Sequence, residues 1–278
     1  MKETKAKWIF AAFFAGAAIL YIQMALYAVH QVWGLRAGFN LFEICLLAVQ
    51  ILGIPVIGYA LNGLILCTFA ISAGYPAWQL ILSARVMRRI RRLEDPERTR
   101  AIRQTTGNPR ITVISGARPA ALTLGFLRPR IILSTGLLEM LETEELHAVL
   151  AHERCHQLRR DPLRSLVHSY LAAVFWYMPI YRWMCQRHKM LAELAADRHA
   201  LVQIGAPEAL GRALLKMLKA GQSPLPSVSC VSFAESSINL RILHLLEPDQ
   251  DVRFGWPAAD LAVSIPAFLS AIVVMALA

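Results

Sequence analysis

His152-Glu153-Arg154-Cys155-His156 spells H-E-x-x-H, the stretch of this chain with the most chemistry in it. On a helix, residues four apart stand one turn above one another, so His152 and His156 can offer two imidazole nitrogens to one metal ion. Glu153 then stands beside the ion and can take a proton from a water molecule. A catalytic zinc takes three protein ligands and keeps a fourth position open. The third ligand must therefore come from elsewhere, and the candidate is Glu193. Asp197 lies four residues further along the same helical face, placed to accept the remaining N–H of a liganding histidine and fix its tautomer. Cys155 adjoins the motif, but its reading is ordinary packing, since Glu193 already completes a three-ligand set.

These side chains need rigid elements. Thr143 reads as an N-cap, Glu144 and Glu145 suit the positive end of a helix, and Leu146, Val149 and Leu150 form an apolar stripe running into the motif. Arg159 and Arg160 suit the C-terminal end, and Asp161-Pro162 reads as the cap and first turn of a new helix. Upstream, Ile111 to Ser115, Ala121 to Leu124 and Arg130 to Leu133 read as short strands bounded by Gly107-Asn108-Pro109, Gly125 and Pro129. A small β-sheet thus precedes the metal helix.

At this point the chain resembles a known family, the membrane zinc metallopeptidases that include the BlaR/MecR antirepressor proteases. The resemblance rests on Gly125-Phe126-Leu127-Arg128-Pro129-Arg130-Ile131-Ile132-Leu133, on Glu144-Glu145-Leu146 leading into His152 to His156, and on Arg160-Asp161-Pro162-Leu163. It continues through Trp176-Tyr177-Met178-Pro179 and Glu193 to Asp197, and covers roughly 111 to 246. It implies a zincin-like α+β peptidase domain, one Zn2+ per chain, a protein or peptide substrate and a cytoplasmic transcriptional repressor as the kind of target. BlaR/MecR proteins carry a penicillin-binding sensor after their last span, whereas this sequence stops at Ala278, so β-lactam sensing by this polypeptide is not expected. A separate sensor protein is one partner that this difference suggests. By chain order and by the resemblance, Ala121 to Leu124, with Leu122 and Thr123 at the centre, form the edge on which a substrate adds as a strand. An ordinary sheet strand is the equal alternative.

Composition points to a membrane. The 278 residues are 56% hydrophobic, above the usual share for a soluble domain. Apolar runs long enough to span are read near 8–29, 41–60 and 63–84, the last two divided by a break around Gly58 to Gly63, and a fourth at 257–278. A kinked single helix through Pro55 or Gly74-Tyr75-Pro76 is the alternative for the middle block. The segment Leu163 to Met184 is tempting as another span. A full crossing there would leave His152 and His156 on the opposite side of the membrane from Glu193, so it reads as a buried or surface helix bent near Pro179.

The net charge of +10 is distributed as a membrane anchor rather than as a nucleic-acid surface. Arg85, Arg88, Arg89, Arg91, Arg92, Arg98, Arg100 and Arg103 follow the apolar block directly, where the positive-inside rule expects the cytoplasm. Lys2, Lys5 and Lys7 would put the N-terminus inside, while three crossings put it outside, and the arginine cluster carries more weight. Five scattered cysteines suggest no disulfide framework.

The expected fold class is a mainly α integral membrane protein with several transmembrane helices and a cytoplasmic peptidase domain. The expected division is an N-terminal membrane region at 1–84, a metallopeptidase domain at 85–220, a linker at 221–256 and a terminal span at 257–278. Gly221 to Ser237 is rich in Ser and Pro and is a candidate for self-cleavage, with a passive tether as the plainer reading. No group is assigned to stabilise the oxyanion; His188, His199 and Arg198 could reach it, but each reads more plainly as a surface or supporting residue. The expected function is a zinc endopeptidase of the bacterial cell membrane, acting on its cytoplasmic side as a regulatory protease. An HtpX-like quality-control protease and a non-proteolytic zinc-containing receptor or scaffold remain as alternatives.

Overall fold

The computed structural model describes residues 3–34, 55–220 and 241, together with 258, 260–262, 264 and 266. The spans expected at 41–60 and 257–278 lie mainly outside the described residues, and the proposed cleavage segment 221–237 lies wholly outside them. Among the described residues the fold is mostly helical with one small sheet. In chain order these are α1 (Glu3–Trp33), α2 (Pro55–Leu93), α3 (Pro96–Thr106), β1 (Ile111–Ile114), β2 (Ala121–Leu124), β3 (Arg130–Ser134), α4 (Thr135–Met140), α5 (Thr143–Arg159), α6 (Asp161–Val174), α7 (Pro179–Ile204) and α8 (Pro207–Lys219).

Two of these helices are long and apolar enough to cross a membrane, over Phe10–Trp33 and Asn62–Leu93. Their outward faces carry Ile19, Ile22, Val32 and Trp33 on α1 and Tyr59, Leu66, Trp78, Leu80 and Ile81 on α2, all exposed. Apolar surface on this scale is costly in water and favourable in a bilayer, which is consistent with a membrane protein. The expected break around Gly58 to Gly63 is corrected: α2 runs unbroken from Pro55 through both glycines, Asn62 and Pro76. Pro55 stands at the helix start, where its missing N–H has no partner to lose, and glycine between apolar neighbours is tolerated where a helix satisfies its own backbone groups. Neither α6, at 14 residues, nor α7 is among the two candidate spans.

The chain divides into two compact units. One gathers the residues up to Pro76 with Tyr170–Met184 and those from Arg253 onward. Its core packs Ala17, Leu20, Met24 and Tyr27 of α1 and Ile65 of α2 with Phe175, Met178, Tyr181 and Met184. Tyr27 donates to Asn62 Oδ1 at 2.7 Å within it, and Tyr181 donates to the carbonyl of Phe13 at 3.1 Å. Between α6 and α7 the chain leaves the helix over Phe175 to Met178 and restarts at Pro179, so the expected bend is a break into two helices.

The other unit comprises Ala77–Ser169 and Cys185–Val252. Its sheet has the order β1-β3-β2, with β1 parallel and β2 antiparallel to the central β3. The outer edge of β1 is occupied, because Asp95 N donates to the Val113 carbonyl and Ser115 N donates to that of Leu93. β2 therefore lies at the opposite edge. Along β3 the side chains alternate: Ile131 and Leu133 pack with Val149 and Leu150 of α5 and Met217 of α8, while Ile132 packs with Ile90 of α2. Gly136, after β3, has no room for a side chain, since a Cβ there would stand 2.1 Å from the Ala117 carbonyl oxygen.

The start of α5 differs from the sequence reading. Its N-cap is Glu142, and Thr143 is already helical. Glu145, fully buried, accepts from the Glu142 backbone N–H at 3.0 Å and from Lys216 of α8 at 2.7 Å. The N3 carboxylate thus closes the first turn and ties α5 to α8, and this outcompetes a threonine hydroxyl one residue later. Burial alone would raise the Glu145 pKa, but Lys216, the Glu142 N–H and Arg212 outweigh it and keep the carboxyl below its usual value. Small residues let α5, α7 and α8 approach closely: Ala148, Ala200 and Ala209 meet with Leu210 in a separate apolar cluster.

Candidate metal centre

α5 carries His152 and His156 on one face, as the four-residue spacing requires, and α7 brings Glu193 opposite them. The two Nε2 atoms stand 3.2 Å apart. One oxygen of Glu193 lies 3.5 Å from His152 Nε2, and the other lies 3.6 Å from His156 Nε2. Two nitrogens about 2.0–2.1 Å from a tetrahedral ion would be about 3.3 Å apart, so the histidine pair has the separation that such an ion demands.

The far side of each ring explains why the near sides face one another. His156 Nδ1 is 2.8 Å from Asp161 Oδ2. His152 Nδ1 is 2.9 Å from Asp197 Oδ1, although its N–H does not aim straight along that line. With a carboxylate beside each Nδ1 to favour the proton there, both Nε2 lone pairs point into one small space. Two lone pairs at that distance repel unless a cation or a proton lies between them. The donor set of two imidazoles and a carboxylate fits a divalent metal ion, and among the described residues it is the one group of three such ligands found.

The electrostatics agree. Burial would lower the pKa of His152, but Asp197 and Glu193 outweigh it and push the ring up to about 9. His156 is raised as well, against its burial, by Asp161 and Glu193. Glu193, only partly buried, is held well below the usual carboxylate range by Arg241 and the two histidines, which outweigh its desolvation. Without metal, His152 therefore holds a proton at pH 7, and a metal ion must displace it. Since the folded pKa exceeds the usual value of about 6.5, protonation stabilises the metal-free fold fully below pH 6.5 and this contribution fades as pH rises through about 9. Metal affinity is expected to rise from pH 6 toward pH 9, with about one proton, that of His152, released per ion at pH 7. Calorimetry in buffers of different ionisation enthalpy reads that number directly; uptake without proton release would place the ion away from these histidines.

Glu153 sits next in sequence to His152 and outside the three-ligand group. Its Oε2 accepts from Thr123 Oγ1 at 2.7 Å, and the same hydroxyl lies 3.1 Å from the Glu153 carbonyl oxygen. Thr123 belongs to the edge strand β2, so this strand lies against the helix that carries the motif. Leu122 pairs with Ile132 of β3 and packs with Ile90 and Ile114. Gln157 fixes the loops beside the site, donating to the Pro129 carbonyl at 3.0 Å while accepting from Asn108 Nδ2 at 2.9 Å.

Cys155 is buried and turns its thiol toward the Ala195 carbonyl at 3.7 Å, which joins α5 to α7 and takes no part in the three-ligand group. His188 stacks on His168 with ring centroids 4.1 Å apart, and burial lowers both pKa values, to about 3 and about 4. Arg198 is exposed.

Two residues at the site were missed by sequence reasoning. Asp161 was read only as a helix cap, yet it faces His156; the left-handed backbone of Arg160, φ 54°, folds the chain back so that the fifth residue after the histidine meets its ring. Arg241 was not singled out at all, and it donates to both oxygens of Asp197 and lies against Glu193. No local pattern could have found it, because 44 residues separate it from Asp197.

Comparison with known families gives a match over residues 48–245 to the family model described as BlaR1 peptidase M56. The matched range includes every residue of the site described above.

Proposed function

Because the chain belongs to the BlaR1 peptidase M56 family, we propose that it is a membrane-bound zinc endopeptidase that cuts a regulatory protein on the cytoplasmic side. The family supports peptidase chemistry on a protein or peptide substrate. The observation that carries the reading to particular residues is the convergence of His152 and His156 Nε2, 3.2 Å apart and opposite Glu193, with both Nδ1 atoms backed by carboxylates.

In this reading His152, His156 and Glu193 hold the zinc, and Asp197 and Asp161 keep the two imidazoles in the tautomer that leaves Nε2 free. A bound zinc supplies Lewis acidity, lowering the pKa of a water toward about 7 and polarising the scissile carbonyl. Glu153 takes the proton from the attacking water on Oε1 or Oε2 and delivers it to the leaving amine. Thr123 holds the Glu153 carboxylate in place before substrate arrives. β2, with Leu122 and Thr123, offers its edge, unpaired by any other strand among the described residues, to an extended peptide, which would bring a scissile bond beside the motif helix.

The cytoplasmic side is supported by the arginines at the end of α2 and in α3, with Arg85, Arg88, Arg89, Arg91 and Arg92 exposed directly after the apolar span. The test is a proteome-wide comparison of new N-termini in cells expressing wild-type protein or the Glu153→Gln variant. One or a few cuts that depend on Glu153, in a cytoplasmic repressor or signalling protein, are the expected result. Many cuts across membrane proteins would make the protein a quality-control protease instead, and no difference under inducing conditions would remove the peptidase assignment.

A further inference from the structure

Asp197 and Glu193 are one helical turn apart on α7, and Asp197 is fully buried. Two carboxylates in that relation repel, and a buried one without a cation is costly. Both are met by one guanidinium. Arg241 Nε lies 2.8 Å from Asp197 Oδ2 and its NH2 lies 2.7 Å from Oδ1, a two-armed contact. Its third nitrogen, NH1, lies 3.1 Å from Glu193 Oε2. The two carboxylates in turn flank one imidazole: Asp197 faces His152 Nδ1 at 2.9 Å, and Glu193 Oε2 faces His152 Nε2 at 3.5 Å. Arg241, Asp197, His152 and Glu193 thus close a ring that includes two of the three candidate ligands, His152 and Glu193.

Resting on the metallopeptidase reading above, we propose that Arg241 is a positioning residue for the metal centre, acting through Asp197 and Glu193 rather than on substrate. Its planar fork fixes two things at once. It sets the plane of the Asp197 carboxylate, which orients His152 from behind, and it holds one oxygen of Glu193, which limits how that carboxylate can turn toward an ion. A point charge in the same place would neutralise the pair without fixing either plane. All three guanidinium nitrogens are engaged, and the side chain is 14% exposed, so the group is built in rather than swept across a surface.

The charge-preserving variant Arg241→Lys tests geometry separately from charge. The probes are Zn2+, titrated against a chromogenic chelator, and Co2+, whose visible ligand-field bands report coordination. Both are applied to the full chain in detergent micelles, with thermal unfolding measured in parallel. The expected result is a metal affinity about tenfold weaker and a changed Co2+ spectrum in a variant that melts with the wild type, as for other residues that orient ligands from outside the coordination sphere. A residue that served only to tie down its own stretch of chain would alter melting and leave the spectrum of the folded protein unchanged. If Arg241→Lys cannot be purified folded, Arg241→Gln, which keeps a planar donor with one arm, is expected to show the same loss. Wild-type affinity and an unchanged spectrum in either folded variant would overturn the proposal while leaving the metallopeptidase reading intact. Failure of the wild-type protein itself to bind either ion would overturn that reading instead.

Discussion

Glu153→Gln is expected to keep the metal and lose the reaction. Glutamine has nearly the same shape, and its amide oxygen can still accept from Thr123 Oγ1, which stands 2.7 Å from Glu153 Oε2. The residue lies outside the group formed by His152, His156 and Glu193, so removing its charge takes no ligand from the ion. What glutamine cannot do is accept a proton from water and return it to a leaving amine. General acid–base groups contribute about 10²–10⁴ in rate, so a fall of about 10³-fold in turnover is expected, on the order of 4 kcal/mol in barrier height. The check is paired: metal content of the purified variant by mass spectrometry, and its rate on the substrate that the N-terminus comparison identifies. Cleavage at the wild-type rate with metal bound would take the base role away from Glu153. Loss of metal together with activity would place the carboxylate among the ligands.

How far the site could be read from the chain depends on how local each signal is. His152 and His156 need only a helix between them, and α5 supplies it, so a four-residue spacing was enough to place them together. Glu193 and Asp197 were reached the same way, one turn apart on α7, although their approach to α5 is a tertiary fact that spacing alone cannot establish. Asp161 escaped because helical periodicity counts forward along one axis, whereas Arg160 leaves that axis with φ 54°. Arg241 escaped because a guanidinium can reach a buried carboxylate from any distance along the chain. The break wrongly expected at Gly58 to Gly63 has the opposite cause: glycine and asparagine mark turns where water competes for the backbone, and α2 passes through both within an apolar segment. The three strands were legible from their bounding Gly and Pro residues. Their order was not, because the pairing of β1 with β3 rather than with β2 depends on what covers each edge.

His156→Ala separates the histidines from Glu153 in the most direct way, since metal and activity should vanish together. Alanine removes the Nε2 that stands 3.2 Å from its partner and leaves two ligands, His152 and Glu193, on different helices. It also removes the contact to Asp161, whose carboxylate is buried and lies 2.8 Å from His156 Nδ1. Losing a residue that orients a ligand costs about 10–100-fold in affinity, so losing a ligand outright should exceed about 100-fold. Asp161→Asn offers an internal scale, because it keeps the ligand and alters only its support, and it should fall within that 10–100-fold range. The order expected from metal titration is therefore wild type, then Asp161→Asn, then His156→Ala, with cleavage following the same order at limiting metal. If excess metal restores cleavage to Asp161→Asn but not to His156→Ala, the distinction between a supporting carboxylate and a coordinating imidazole holds. A His156→Ala protein that binds metal as tightly as the wild type would mean that the ion is held by other residues, and the mechanism built on this helix would have to be abandoned.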